Sequence, residues 1–268
     1  MVVPVADPDD PQIAAYRNLR ERDLRRSDGL FVAEGEVVLR VLLSRSRFPV
    51  HSLLLSEKRL DALSPLLARA PAGTPVFAAS QAVMDRIVGF PIHRGVLALA
   101  RRGPEAGLGD VLDGLGARAV VVVLLGLSNH DNVGGVFRNA AAFGAGAVLL
   151  DGASCDPLYR KAIRVSVGGS LLVPWAREGE PDALLDALTA RGFELIGLTP
   201  SGGEPIGAVR PGARTALLLG AEGAGLPPRV LARTRRVRIP MAGGFDSLNV
   251  ATASGIALHH LTKGRPGD

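Results

Sequence analysis

Between residues 119 and 261, short and uniformly apolar runs alternate with helical patterns, and this alternation constrains the fold more than any other feature of the chain. The run Ala119–Leu125 (AVVVVLL) has no polar residue to mark a solvent side, as expected of a strand covered on both faces. Further strands are expected over residues 147–150, 193–198, 215–219 and 237–239, and helices over 133–143, 157–167, 182–190 and 248–261. Apolar strands joined by helices specify an α/β domain built on a parallel sheet. Residues 101–107 (RRGPEAG) interrupt all periodicity with charge, Gly and Pro, which places a linker there, between a first domain at 1–104 and a second at 108–268. The first domain reads as a small α/β unit: an amphipathic helix over 12–26, helices over 35–43, 57–69 and 81–87, and strands over 52–55, 75–79 and 95–100.

Composition removes several functional classes. A single cysteine, Cys155, closes no intrachain disulfide and builds no Cys-rich zinc site. His51, His93, His130, His259 and His260 lack a metal-ligand spacing, so no metal is expected. The longest apolar run is far short of the roughly 20 residues of a membrane span. The first ten residues carry three acids and no basic start, so export is not indicated and a cytoplasmic location is expected. The 31 basic against 26 acidic side chains give a net charge of +5, which favours a polyanionic partner. Residues 1–104 hold 15 of the basic and 11 of the acidic residues, so the excess sits in the first domain.

Ligands of a parallel α/β sheet sit beyond the carboxyl ends of its strands, and four post-strand loops stand out there. The first, at residues 126–138 (GLSNHDNVGGVFR), opens a helix with Asn132 as its expected N-cap and Arg138 within two turns. The plain alternatives are a cap and a surface cation. The second (Thr199, Pro200, Ser201, Gly202, Gly203) has the composition of an ordinary turn or of a backbone that a ligand approaches closely. The third (GAEGAGLP, residues 220–227) sets three glycines around Glu222 and contains no lysine, which excludes a Walker loop. The fourth (IPMAGGFDSLN, residues 239–249) runs into the last helix with Ser247 as expected N-cap and Asn249 in its first turn. No G-x-G-x-x-G follows the first strand and no G-x-S-x-G elbow occurs. A nucleotide-dependent dehydrogenase, an ordinary Rossmann methyltransferase and a serine hydrolase are thereby disfavoured.

Three of these segments resemble the motifs of the SpoU (TrmH) family of RNA ribose 2′-O-methyltransferases, of the SPOUT superfamily: residues 132–144 (NVGGVFRNAAAFG), 217–226 (LLLGAEGAGL) and 239–251 (IPMAGGFDSLNVA). Residues 31–36 (FVAEGE) and 93–98 (HRGVLA) are similar to the smaller substrate-binding domain, of the ribosomal-protein L30e-like kind, that often precedes it. The resemblance implies an α/β parallel sheet whose C-terminal part forms a trefoil knot, a homodimer, and S-adenosyl-L-methionine as cofactor. It implies cofactor contacts at Thr199, Gly220, Ile239, Met241 and Leu248, and a catalytic group of Arg138, Asn132, Glu222, Ser247 and Asn249. An arginine, charged to above pH ~12, suits charge stabilisation of a developing alkoxide better than proton abstraction, although the family is proposed to use it as the base. Glu222 is expected to hold Arg138 or the methionine amine.

The substrate is then RNA, ribosomal in preference to transfer RNA, bound through phosphate contacts from Arg17, Arg20, Arg22, Arg25, Arg26 and Arg94. A solvated charged helix face is the plain alternative for that arginine run. A base methyltransferase of the same fold, and an RNA-binding or assembly protein that keeps the fold without turnover, remain open as alternative functions.

Overall fold

The computed structural model describes residues 2–17, 29–89, 95–200, 202–243 and 245–263. The chain forms two compact units, Met1–Pro104 with Leu158–Leu172, and Glu105–Pro157 with Val173–Asp268. The segment Leu158–Leu172 thus goes with the first unit, although it leaves from between two strands of the second. A division at a single linker does not anticipate this.

The first unit holds a five-stranded mixed sheet of β1 (Val2–Val5), β2 (Leu30–Glu34), β3 (Val50–Ser56), β4 (Val76–Ala79) and β5 (Val96–Arg101), in the order β1-β4-β3-β5-β2. Strands β1, β4 and β3 run parallel, and β5 is antiparallel to both β3 and β2. Its core gathers Ile13, Tyr16, Leu54, Phe77, Met84 and Leu97. The Tyr16 hydroxyl lies 2.9 Å from Ser52 Oγ, and burial pushes its pKa upward. The sequence pattern missed β1, which contains a proline, and β2. Of the helix expected over residues 12–26, the described part forms a 3-10 turn, Pro11–Tyr16, capped by Asp10, after which Arg17 is extended. Residues 18–26 lie outside the described residues.

The second unit carries seven parallel strands: β6 (Ala119–Leu125), β7 (Ala147–Asp151), β8 (Trp175–Glu178), β9 (Glu194–Leu198), β10 (Glu204–Pro205), β11 (Arg214–Gly220) and β12 (Arg235–Arg238). Their order is β10-β12-β9-β11-β6-β7-β8. Val121, Val123 and Leu125 pack with Leu184, Leu185 and Leu188 of the helix Pro181–Ala190, and the intervening Val120, Val122 and Leu124 are equally buried. Burial on both faces is what the unbroken β-branched run of β6 specifies. Strand β12, late in the chain, pairs with both β9 and β10, so it occupies the place between the two strands that an earlier loop connects. Pattern reading missed β8 and β10, which are short edge strands with polar residues. Among the described residues no helix is long and apolar enough to cross a membrane, and no group of three His, Cys, Asp or Glu side chains could hold a metal.

Candidate active site

Strands β12, β9, β11 and β6 are consecutive in the sheet and parallel, so the loops following them leave from neighbouring carboxyl ends. Backbone geometry alone explains the glycines of the loop after β11. A Cβ on Gly220 would lie 2.2 Å from the Gly225 carbonyl carbon, and Gly223 and Gly225 have φ of 80° and 68°. Gly225 N–H donates to Ala221 C=O at 2.9 Å, which closes the loop and leaves Glu222 exposed at its tip.

The loop after β6 is anchored from β7. Both carboxylate oxygens of buried Asp151 accept from Gly126 N–H, at 3.1 and 3.0 Å, and Oδ1 also accepts from the Ser154 N–H and hydroxyl, at 2.8 and 2.6 Å. Ser154 Oγ in turn accepts from Leu127 N–H at 3.1 Å. A buried carboxylate retained with this many donors fixes the exit of β6 firmly. Next to it, burial and the charge of Asp156 push the Cys155 thiol up to about 11.

The helix that follows, His130–Ala142, begins three residues earlier than its pattern suggests, because Asn129 is the cap and accepts from Asp131 N–H at 2.9 Å. Asn132 is therefore not a cap; it sits inside the first turn, 4% exposed. A parallel correction applies to the last helix, Val250–Thr262, whose cap is Asn249 and not Ser247. Asn249 Oδ1 accepts from the N–H groups of Ala251 and Thr252, at 2.9 and 3.3 Å.

These two shifts bring three segments together. Asn249 Nδ2 donates to Asn132 Oδ1 at 2.9 Å, and Asn132 Nδ2 donates to Glu222 Oε1. The order of donors runs one way, from the N–H groups of a helix N-terminus through two amides to a carboxylate, an arrangement in which each bond polarises the next. The two helices meet closely enough to permit it. A Cβ on Gly135 would fall 2.5 Å from Ala251 Cβ, and Asn139 Nδ2 donates to Ala251 C=O and Ser254 Oγ at 2.6 and 2.9 Å.

Asn132 thus bonds to both Glu222 and Asn249. Arg138 is exposed and makes no hydrogen bond or ion pair among the described residues; Glu222 is bonded to Asn132 and not to it. Six residues on a helix rotate a side chain by about 240°, so Asn132 and Arg138 do not share a face. Ser247 is exposed. Thr199 N–H donates to Val237 C=O at 2.9 Å, Ile239 and Met241 are half-buried, and Leu248 is exposed beside Phe245, itself 75% exposed. Asp151, Ser154 and Asn139 escaped the sequence reading; the glycine pair 134–135 inside a helix was the only trace of the close crossing that Asn139 serves. In the first unit Arg17 donates to the Asp9 and Asp10 carbonyls at 2.8 and 2.9 Å and pairs with Asp9 at 3.4 Å. Arg20, Arg22, Arg25, Arg26 and Arg94 lie outside the described residues.

Residues 119–259 match the family model described as "SpoU rRNA Methylase family". An uncharacterized tRNA/rRNA methyltransferase of Mycobacterium tuberculosis is 44% identical over 97% of this chain and 91% of its own length. The 23S rRNA (guanosine-2′-O-)-methyltransferase RlmB of Bordetella pertussis is 31% identical over 79% of this chain and 86% of its own. Among solved structures, the SpoU methyltransferase AviRb of Streptomyces viridochromogenes, determined in complex with the cofactor AdoMet, superposes with a TM-score of 0.78 at 25% identity, covering 95% of this chain and 97% of that one.

Proposed function

The chain belongs to the SpoU rRNA methylase family, and from that premise we propose that it transfers a methyl group from S-adenosylmethionine to a ribose 2′-hydroxyl of RNA, ribosomal in preference to transfer RNA. The observation that carries this reading is the bonding of Asn132 to both Glu222 and Asn249, which joins the three motif segments that follow β6, β11 and β12. The name of the RlmB relative supports ribose and ribosomal RNA, and the AviRb complex supports the cofactor.

The residues present suit that cofactor. The loops after β9, β11 and β12 offer backbone groups at Thr199, Gly220 and Ile239, and half-buried Met241 and exposed Leu248 offer apolar surface to an adenine ring. Bound there, S-adenosylmethionine supplies an electrophilic methyl group on sulfur. The ribose 2′-oxygen would take that methyl as the sulfur–carbon bond breaks and would pass its hydroxyl proton to solvent water, giving S-adenosylhomocysteine and 2′-O-methylated RNA. Arg138, exposed and always charged, is assigned to the developing negative charge on the 2′-oxygen, with Asn132, Glu222, Ser247 and Asn249 fixing the ribose and its surroundings.

The position of β12 between β9 and β10 supports a knotted C-terminal region. Exposed Phe245, Leu248 and Ile256, all in or just before the last helix, support a homodimer. The reading is tested by transfer of labelled methyl groups into total RNA from a strain lacking the gene, with mapping of alkali-resistant linkages, which mark 2′-O-methylation. One new site is expected, lost in Arg138→Ala with RNA affinity retained. Label on a base would select base methylation, and binding of RNA and cofactor without incorporation would select the RNA-binding alternative.

A further inference from the structure

The segment Leu158–Leu172 carries Arg160, Lys161 and Arg164 and no acidic residue, three positive charges in a chain whose net charge is +5. It packs in the first unit, anchored by buried Leu158, Ala162, Ile163 and Leu171. Glu34, at the end of β2 and only 7% exposed, receives Arg160 Nη1 at 2.9 Å and has Arg164 Nη1 at 3.9 Å. One carboxylate thus sets the direction of two guanidinium groups one helical turn apart.

The backbone of the segment is held just as firmly. Val167 has φ of 55°, the one positive value outside glycine among the described residues, and a β-branched side chain is strained there. Gly168 follows with φ of 82°, its α-carbon packed so that a Cβ would meet Val41 at 3.0 Å. Ser166 Oγ donates to Ile163 C=O and accepts from Ser170 N–H, closing the turn from inside. On this braced support Lys161 and Arg164 are exposed, next to Tyr159, whose ring is 40% exposed. Strain retained under an exposed set of cations and one aromatic ring is the kind of local cost that a binding function accounts for.

We propose that residues 159–164 form an RNA-contact site in the first unit, Lys161 and Arg164 meeting backbone phosphates and Tyr159 stacking on an unpaired base. The ligand is single-stranded RNA, because an exposed aromatic side chain stacks on a splayed-out base and not on one enclosed in a duplex. This proposal rests on the reading of the protein as an RNA methyltransferase and adds a subsite to it.

Fluorescence anisotropy with a short labelled oligouridylate, on the full chain and over a range of salt, tests it. Joint substitution Lys161→Ala and Arg164→Ala is expected to lower the slope of log K against log salt by about 1.4, about 0.7 for each phosphate contact to a single strand. Tyr159→Ala is expected to weaken binding on the order of tenfold while Tyr159→Phe keeps it. The substituted side chains are exposed, so S-adenosylmethionine binding should match the unsubstituted protein, while loss of Arg164 beside buried Glu34 lowers thermal stability slightly. Lys161→Glu, at a surface position, provides a second variant whose slope must also fall. Unchanged slope and affinity in variants of a protein that binds the oligonucleotide would overturn this site and leave the functional reading standing. If the unsubstituted protein binds neither the oligouridylate nor total RNA, both fall.

Discussion

Replacing Gly135 by alanine separates two opposed effects whose signs differ. Taken by itself, a glycine-to-alanine change inside the helix His130–Ala142 favours folding by up to ~1 kcal/mol. The new Cβ, however, would lie 2.5 Å from Ala251 Cβ, about 1 Å inside ordinary carbon–carbon contact. Both atoms are β-carbons fixed directly to helix backbones and not flexible side-chain ends, so the helices themselves must part. Overpacking of this kind costs ~1–3 kcal/mol, which exceeds the propensity gain. Net destabilisation of about 1–2 kcal/mol corresponds to a melting temperature lower by roughly 2–8 °C for a chain of this size. Parting the helices also stretches the 2.9 Å bond between Asn249 and Asn132, so methyl transfer should fall more steeply than stability. The double variant Gly135→Ala with Ala251→Gly removes one of the two colliding carbons and should recover both, a coupling that scanning calorimetry and a methyl-transfer assay measure in the same preparations. A melting temperature that rises in Gly135→Ala, or a double variant no better than the single, would refute the close crossing.

At Asn132, substitution by aspartate puts two carboxylates in contact and removes the donor to Glu222, so Asn132→Asp should lose more activity than Asn132→Ala; equal losses in a methyl-transfer assay would count against the bond to Glu222. With its thiol pushed up to about 11, Cys155 should be almost wholly protonated at neutral pH. Its reaction with a disulfide reagent should accelerate roughly tenfold per pH unit through pH 8–10; rapid labelling at pH 7 would contradict its burial. Arg235 beside Glu204 and Arg191 beside Asp113 hold both carboxyls below their ordinary range. A depressed carboxylate contributes stability above its unfolded pKa of about 4 and loses it as pH falls through the folded value. Melting temperature should therefore be level at neutral pH and drop in acid, less steeply in Glu204→Gln; an identical acid slope in that variant would remove Glu204 from the account.

How much of this was legible in the sequence depended on whether the cause was local. Strand β6 was read to the residue because seven apolar side chains in a row, four of them β-branched valines, suit a short strand buried on both faces. The helix starts were misread because the stretch Asn129, His130, Asp131, Asn132 offers two asparagines that cap equally well in isolation. The choice falls to Asn129 once Asn132 finds partners 90 and 117 residues away. The same holds for Ser247 against Asn249. Asp151 was invisible for a related reason: an acidic residue at a strand end looks solvated until Gly126 and Ser154 are seen to surround it. In the candidate site the motif residues could be named from the sequence, but the separation of Arg138 from the Asn132, Glu222 and Asn249 contact required the helix phase.

The order in which strands occupy the second sheet has a bearing on how the protein is made. Synthesis delivers β9 and β10 well before β12, yet β12 pairs with both, so a nascent chain that has only reached residue 230 has a gap in the sheet where three of the four loops should converge. Nor does that chain possess Asn249, so Asn132 and Glu222 have no third partner. Completion of the last part of the polypeptide is then a condition for assembling the whole of the site. A product terminated before β12 would lack both the strand that fills the sheet and the Asn249 amide that completes the contact.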